Sequence, residues 1–373
     1  MAKDDPTGDQ PIRLLVLSRD PAFAQGGIAA FVATQLRRLS TAVSAEPLWI
    51  GRKASESFPC TVTRMFDDMR RLKARLQQND YDVVQLNISM VKRSLIREFF
   101  FCREVLRSGR HRLITVFHGW DPEVANTIAR SKMLRFLFAH SFARSDRILV
   151  LSAGFARVLE DLGVDSSSIH VLPQAFDDDL LSDFRNLPRN KDKNLLFMSR
   201  LIPEKGALEL ISAFRSGAHE KWPGWTLTIA GDGPERASIE SEVLRNSCSD
   251  RIRFAGYVRG DEKKRLLEAA SVFALPTRYN EGLPISVVEA MSAGCALLCT
   301  NVAGLADMVE DNVHGAVIHN GTAEGIGAGL TRLLTDKELL LAAQSNCHSL
   351  AWEKLSATSV VAELERHIAE VAG

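Results

Sequence analysis

Two apolar rhythms alternate along this chain. Short, nearly continuous apolar runs occur at IRLLVLS (12–18), YDVVQLNI (81–88), RLITVFHG (112–119), RILVLS (147–152) and IHVLPQAF (169–176). Their length and branched side chains suit strands buried on both faces. Between them come amphipathic stretches such as IAAFVATQLRRL (28–39) and SLIREFFFCREVLRS (94–108), which predict helices. A polar segment, DDDLLSDFRNLPRNKDKN (177–194), breaks the rhythm. It then restarts with NLLFMSR (194–200), TLTIAG (226–231), IRFAGYV (252–258), SVFALPT (271–277), ALLCT (296–300) and GAVI (315–318), each followed by a helical stretch.

Strands alternating with helices predict parallel sheets covered on both faces, and the restart predicts two of them. The expected fold class is α/β, with two Rossmann-like, doubly wound domains covering residues 1–178 and 179–352. The last stretch, WEKLSATSVVAELERHIAEV (352–371), reads as one or two helices, and the helix in 353–373 is expected to pack back on the first domain. Ligands in such sheets bind at the carboxyl ends of the strands, so the two sets of ends are expected to face a central cleft.

Composition narrows the class. The 373 residues are 46% hydrophobic and 25% charged with zero formal net charge, ordinary for a soluble globular chain. The polar N-terminus, MAKDDPTGDQP, lacks the apolar region of a secretory signal, and no run of apolar residues is long enough to span a bilayer. The six cysteines are scattered; the one close pair, Cys295 and Cys299, lies in the apolar GCALLC and reads as buried thiols of a reducing cytosol. The zero net charge hides a division. Residues 1–178 hold 25 of the 46 basic and 20 of the 46 acidic side chains, net +5, leaving 21 and 26, net −5, for the remainder. Residues 92–147 alone carry 12 basic against 5 acidic, net +7. On a helical wheel Lys92, Arg93, Arg97, Arg103, Arg107 and Arg110 share one face, with Ile96 and Phe100 set among them. SKMLRFLFAHSFARS (131–145) repeats the mixture. Such a face suits an anionic membrane surface and equally suits solvent.

The densest chemistry is RYNEGLPISVVEAMSAG (278–294). Here a strand should end near Thr277, a loop should hold Glu281, and a helix should begin near Pro284 and stop at Gly294. Glu281 and Glu289 then lie at most ~12 Å apart on helical rise, with the backbone of Gly282, Leu283 and Pro284 between them at a helix N-terminus. Carboxylates accept hydrogen bonds from vicinal hydroxyls, so the spacing suits a ligand with a sugar at each end and phosphates in the middle; two solvated helix carboxylates fit it as well. SRLIPEKG (199–206) places Arg200 at a strand end and Lys205 at a helix entrance, where a fork and a point charge can neutralise a diphosphate. GDGPE (231–235) is a glycine-rich strand-to-helix turn that lacks the G-x-G-x-x-G dinucleotide pattern. IRFAGYV ends where its backbone can pair with a base edge.

SRLIPEKG, AGDGPE, IRFAGYV and LPTRYNEGLPISVVEAMSAG, in that order and spacing, closely resemble glycosyltransferase family 4, over roughly 194–320 and more weakly over the N-terminal half. The resemblance implies the GT-B fold and a retaining, nucleotide-sugar-dependent transferase. It implies that Arg200 and Lys205 hold the diphosphate, Glu281 and the backbone of Gly282, Leu283 and Pro284 surround the transferred sugar, and Glu289 binds the ribose. Gly231 and Gly233 line the donor side, and Tyr257 and Val258 frame the base. In the N-terminal half, Gly26 and Gly27 of QGGIAAF resemble the family's glycine loop, although a plain helix entry would look the same. His118 of HGWDPE matches its cleft histidine near the donor sugar. Asp121 is either an acceptor-orienting carboxylate or a helix cap.

The expected reaction moves a sugar from a UDP- or GDP-sugar to a hydroxyl of a glycan or lipid-linked acceptor, in cell-surface or extracellular polysaccharide synthesis. The thiols and the missing signal imply a cytoplasmic protein, and the basic face over 92–147 a possible peripheral site on the inner face of the plasma membrane. No cofactor, essential metal or nucleic-acid partner is expected, and Asp177–Asp179 read as solvated linker charge rather than a metal motif. Two alternatives stay open: a nucleotide-sugar hydrolase or epimerase on the same fold, and a non-catalytic nucleotide-sugar-binding subunit.

Overall fold

The computed structural model describes residues 10–21, 27–51, 58–90, 92–186, 191–217, 220–244, 250–279 and 283–373. The chain divides into two compact units, Met1–Pro173 with Ala357–Gly373, and Gln174–Ser356.

In the first unit the strands are β1 (Ile12–Ser18), β2 (Val43–Trp49), β3 (Val83–Met90), β4 (Arg112–Trp120), β5 (Arg147–Val150) and β6 (Ile169–Val171). The helices are α1 (Gly27–Arg38), α2 (Phe58–Gln78), α3 (Lys92–Ser108), α4 (Pro122–Arg130), α5 (Lys132–Ala139) and α6 (Ala153–Asp161). The sheet order is β2-β1-β3-β4-β5-β6, and every pairing is parallel. Four consecutive β1 residues, Leu14 to Leu17, are at most 1% exposed, as expected of a strand covered on both faces.

The second unit contains β7 (Asp192–Met198), β8 (Thr226–Ala230), β9 (Ile252–Gly256), β10 (Ala270–Leu275), β11 (Ala296–Thr300) and β12 (Gly315–Ile318). Its helices are α7 (Ala207–Gly217), α8 (Arg236–Leu244), α9 (Gly260–Ala269), α10 (Ile285–Ser292), α11 (Ala303–Met308), α12 (Ala323–Thr335) and α13 (Lys337–Leu350). The order β12-β11-β10-β7-β8-β9 is again wholly parallel. Chain order reverses between β7 and β10, and the loops leaving those two adjacent strands are where an open α/β sheet receives ligands. All six β10 residues are buried. Apolar side chains such as Phe273 contribute ~1.5–3 kcal/mol each by leaving water.

The crossover differs from the solvated linker expected over 177–194. Phe176, Leu181 and Phe184 are buried in the second unit's core. Asp177 accepts from the backbone N–H groups of Asp179 and Leu180, and Asp178 is buried. The DDD run is therefore a packed turn, and the unit boundary falls before it. Residues 353–356 also belong to the second unit, where Phe176 N–H donates to Leu355 O at 3.0 Å. The final helix, α14 (Ala357–Ala372), belongs to the first unit. Arg147 ties it down through His367 Nδ1 at 2.7 Å and Glu370 at 2.6 Å, and Arg38 reaches Thr358 at 2.6 Å.

The expected strand 169–176 stops at Val171, because Pro173 has no N–H for a ladder. Strand β2 carries Glu46 and Pro47 at the sheet edge and lacks the apolar run that marks the others. On α3, Phe101, Cys102 and Val105 face the core while Ile96 and Phe100 are exposed, as the wheel indicates. Arg97 leaves the expected basic face: it is only 18% exposed and pairs with Glu98 at 2.8 Å.

Candidate active site

The β7–α7 loop and the loop after β10 are stitched together. Arg278 donates to Glu209 at 2.7 Å and to Pro203 O at 3.0 Å, and its N–H reaches Glu204 O at 2.6 Å. Thr277 Oγ1 also donates to Glu204 O at 3.2 Å. This frame fixes three side chains at the reversal point. Lys205 is 2% exposed. Its burial, reinforced by the charge of Arg200, pulls its pKa down to about 8. The Arg200 guanidinium carbon and Lys205 Nζ lie 6.0 and 5.0 Å from the Tyr279 ring centroid. Lys205 is buried whereas Arg200 and Tyr279 are exposed, so the ring gathers one desolvated and one solvated cation, a pairing suited to an anion. Tyr279 was not singled out in the sequence; the available signal was an aromatic two residues before Glu281.

Glu281 and Gly282 lie outside the described residues, as does Gly26. Leu283 is 3% exposed, and Pro284 holds the N-cap position of α10. Glu289, in the second turn of α10, pairs with Lys263 Nζ of α9 at 2.5 Å. Burial pushes its carboxyl up and the Lys263 charge opposes the shift. Lys263 is a second residue that sequence reasoning missed, since a lysine within GDEKKRLLEA carries no motif signal.

Gly231 and Gly233 meet a packing need. Gly231 N–H donates to Gly256 O at 2.7 Å, and Gly233 N–H to Asp232 Oδ1 at 2.8 Å, so both donors are used within the protein. Both have positive φ, and a Cβ would fall 1.9 Å from Ser199 O and 2.4 Å from Leu201 O. Only glycine lets this loop lie against the backbone that carries Arg200. Beyond β9, Val258 is buried and Tyr257 is 66% exposed.

In the first unit, Gly27 begins α1. Asp121 caps α4, accepting from Glu123 N–H at 2.9 Å, with Pro122 in the first turn. His118, near the carboxyl end of β4, meets Asn87 Oδ1 at 2.9 Å through Nε2 and Phe31 edge-on at 5.0 Å. Its Nδ1 is buried and has no hydrogen-bond partner. Burial alone pulls its pKa down to about 3, so the ring is neutral.

The β7/β10 reversal of the second unit suits a phosphorylated, hydroxyl-rich ligand, and the first unit separately carries a neutral imidazole near the carboxyl end of β4. Comparison with known proteins agrees in kind. Residues 22–180 match the model of Glycosyltransferase Family 4, and residues 180–348 that of Glycosyl transferases group 1. The amylovoran biosynthesis glycosyltransferase of Erwinia amylovora is 25% identical over 225 residues, 59% of this chain and 54% of that one. The GDP-mannose-dependent alpha-(1-6)-phosphatidylinositol monomannoside mannosyltransferase of Mycobacterium tuberculosis is 27% identical over 252 residues, 63% of each chain. The chain thus spans between half and two thirds of the length of these curated relatives. Among solved structures, Anabaena Alr3699/HepE in complex with UDP superposes with a TM-score of 0.72 at 17% identity, covering 97% of this chain and 100% of that one. The chain belongs to glycosyltransferase family 4 and has the GT-B fold.

Proposed function

We propose that the protein moves a sugar, with retention of anomeric configuration, from a UDP- or GDP-sugar to a hydroxyl of a glycan or lipid-linked acceptor in surface or extracellular polysaccharide synthesis. The observation that carries this reading is the buried Lys205 beside Arg200 at the reversal between β7 and β10. Breaking the bond from sugar to phosphate builds negative charge on the departing diphosphate and positive charge on the ring. The two fixed cations stabilise the former electrostatically. They supply charge that a metal ion would otherwise bring, so turnover should persist in EDTA; activity lost there and restored by Mg²⁺ or Mn²⁺ would overturn that part. Glu289 accepts the ribose hydroxyls, which requires Lys263 to share or release it. Glu281 is assigned to the transferred sugar. The acceptor hydroxyl attacks from the leaving-group face and passes its proton to the departing phosphate oxygen.

The acceptor class draws support from two relatives, one named for amylovoran biosynthesis and one for a phosphatidylinositol mannoside. It also draws support from the first unit's surface. Ile96 and Phe100 of α3 and Met133 and Phe136 of α5 are exposed, as are Arg107 and Arg110 after the former pair and Lys132 and Arg135 beside the latter in sequence. Among the described residues, no helix is long and apolar enough to cross a membrane. Apolar side chains set among cations suit the headgroup boundary of an anionic bilayer, which supports a peripheral position on the cytoplasmic face. Vesicles containing phosphatidylglycerol should bind it at low salt and release it at high salt. Phe136→Glu with Arg135→Glu should weaken that binding; no co-sedimentation of the wild type would favour a soluble acceptor.

The direct experiment incubates the protein with labelled UDP- and GDP-sugars and a membrane lipid extract. Label in a lipid or glycan fraction supports transfer. Free sugar or epimer as the main product in the presence of acceptor, or nucleotide binding without turnover, would overturn it.

A further inference from the structure

We infer that a buried chain of amides, Gln35–Gln85–Asn87, is a positioning relay that locks His118 as the Nε2–H tautomer and leaves Nδ1 as an acceptor for a sugar hydroxyl. The inference rests on the proposed transferase reading for the identity of the hydroxyl, but not for the tautomer.

The geometry begins at Asn87 on β3. Its Nδ2 donates to Leu17 O of β1 at 3.2 Å. A backbone carbonyl can only accept, so this contact fixes the orientation of the amide. Asn87 Oδ1 must then face the remaining neighbours, Gln85 Nε2 at 3.0 Å and His118 Nε2 at 2.9 Å. An amide oxygen accepts, so His118 Nε2 carries the hydrogen. Gln85 is itself held by reciprocal bonds with Gln35 of α1, at 2.8 and 3.0 Å. Gln35 and Gln85 are fully buried and Asn87 is 7% exposed. Burying three amides is costly unless each is satisfied, and here they satisfy one another.

The other ring nitrogen, Nδ1, has a lone pair and no partner in a buried setting. Buried polar atoms rarely lack a partner, and a hydroxyl donor would remove the cost. The facing groups do not supply a charge that would alter this. Helix α1 contributes Phe31 and Gln35. Helix α3 contributes Glu98, which shares a small cavity with Asn87 and is paired with Arg97 at 2.8 Å. His118 therefore acts as a fixed neutral acceptor rather than a proton shuttle, and Asn87 is a positioning residue.

The test is nitrogen NMR on the full chain labelled at histidine, with the His118 signals assigned by their loss in His118→Gln. The wild type should show Nε2–H and a bare Nδ1 for His118, unchanged from pH 5 to 8.5. An Nδ1–H form, or a titration in that range, would overturn the inference without bearing on nucleotide binding. Asn87→Asp puts a carboxylate against Nε2–H and should bring His118 titration into that window. Its kcat/KM for donor turnover should fall about tenfold per pH unit below the new midpoint, while UDP or GDP affinity stays unchanged. A folded Asn87→Asp protein whose His118 still fails to titrate would contradict the relay. If that variant does not fold, Asn87→Ala must show both His118 tautomers; a single Nε2–H form there would contradict it as well. Wild-type protein that binds neither UDP nor GDP would sink the transferase reading while leaving the tautomer result standing.

Discussion

Raising the pH should weaken nucleoside diphosphate binding through one side chain. Burial and the Arg200 charge hold the Lys205 ammonium down to about 8, so the free protein loses that charge within an accessible range. A bound diphosphate favours the charged form and lifts the pKa again. Binding above pH 8 must therefore take up a proton, and affinity must fall as pH rises. With a midpoint of about 8, the protonated fraction drops from ~0.9 at pH 7 to ~0.1 at pH 9. The Kd for UDP or GDP should rise about tenfold over that interval, equivalent to ~1.4 kcal/mol. Isothermal titration calorimetry in two buffers of different ionisation enthalpy reads the uptake directly, roughly half a proton at pH 8. Lys205→Arg keeps its charge throughout and should flatten the dependence, and the corresponding nucleoside should show none. A wild-type Kd that is flat from pH 7 to 9, or equal slopes for wild type and Lys205→Arg, would refute the diphosphate role.

Glu289→Ala should weaken nucleotide binding by roughly 1.5–3 kcal/mol, the usual worth of a hydrogen bond to a charged group; an unchanged Kd would remove the ribose assignment. Gly231→Ala should destabilise the second unit by ~4 kcal/mol or more in urea melts, because its Cβ would collide with Ser199 O; a near wild-type midpoint would show that the two loops are not packed as described. Acid should also destabilise the first unit. Desolvation pulls the pKa of His118 to about 3 and of His367 to about 4 in the fold, against about 6.5 when unfolded, so the unfolded chain binds more protons as pH drops. Each should cost ~1.5–2 kcal/mol between pH 7 and 5, and His367→Gln should remove its share of the slope.

Much of this was legible in the sequence because parallel strands buried on both faces leave continuous apolar runs. All six strands of the second sheet overlap such runs, at 194–200, 226–231, 252–258, 271–277, 296–300 and 315–318. Strand β2 escaped because an edge strand with one half-solvated face, carrying Glu46 and Pro47, has no such run. The DDD turn looked solvated because local composition does not reveal that Phe176, Leu181 and Phe184 anchor it. Arg200 and Lys205 could be named from their positions after a strand, but the low pKa of Lys205 follows from tertiary burial and could not. Lys263, Tyr279 and Asn87 matter through partners 26, 74 and 31 positions away, Glu289, Lys205 and His118, and no local pattern encodes those meetings. The glycines of GDGPE were visible as a turn, whereas their closeness to Ser199 and Leu201 was not.

The most direct test of the central claim needs no knowledge of the acceptor, since water can replace it slowly. The protein is mixed with α-linked UDP- and GDP-sugars, and proton NMR follows the anomeric signal of the first sugar released, before mutarotation. At least one donor should yield nucleoside diphosphate together with the α-anomer, and Glu281→Gln should abolish both. A first-formed β-anomer, or every donor left intact with and without a membrane lipid extract, would contradict a retaining nucleotide-sugar transferase.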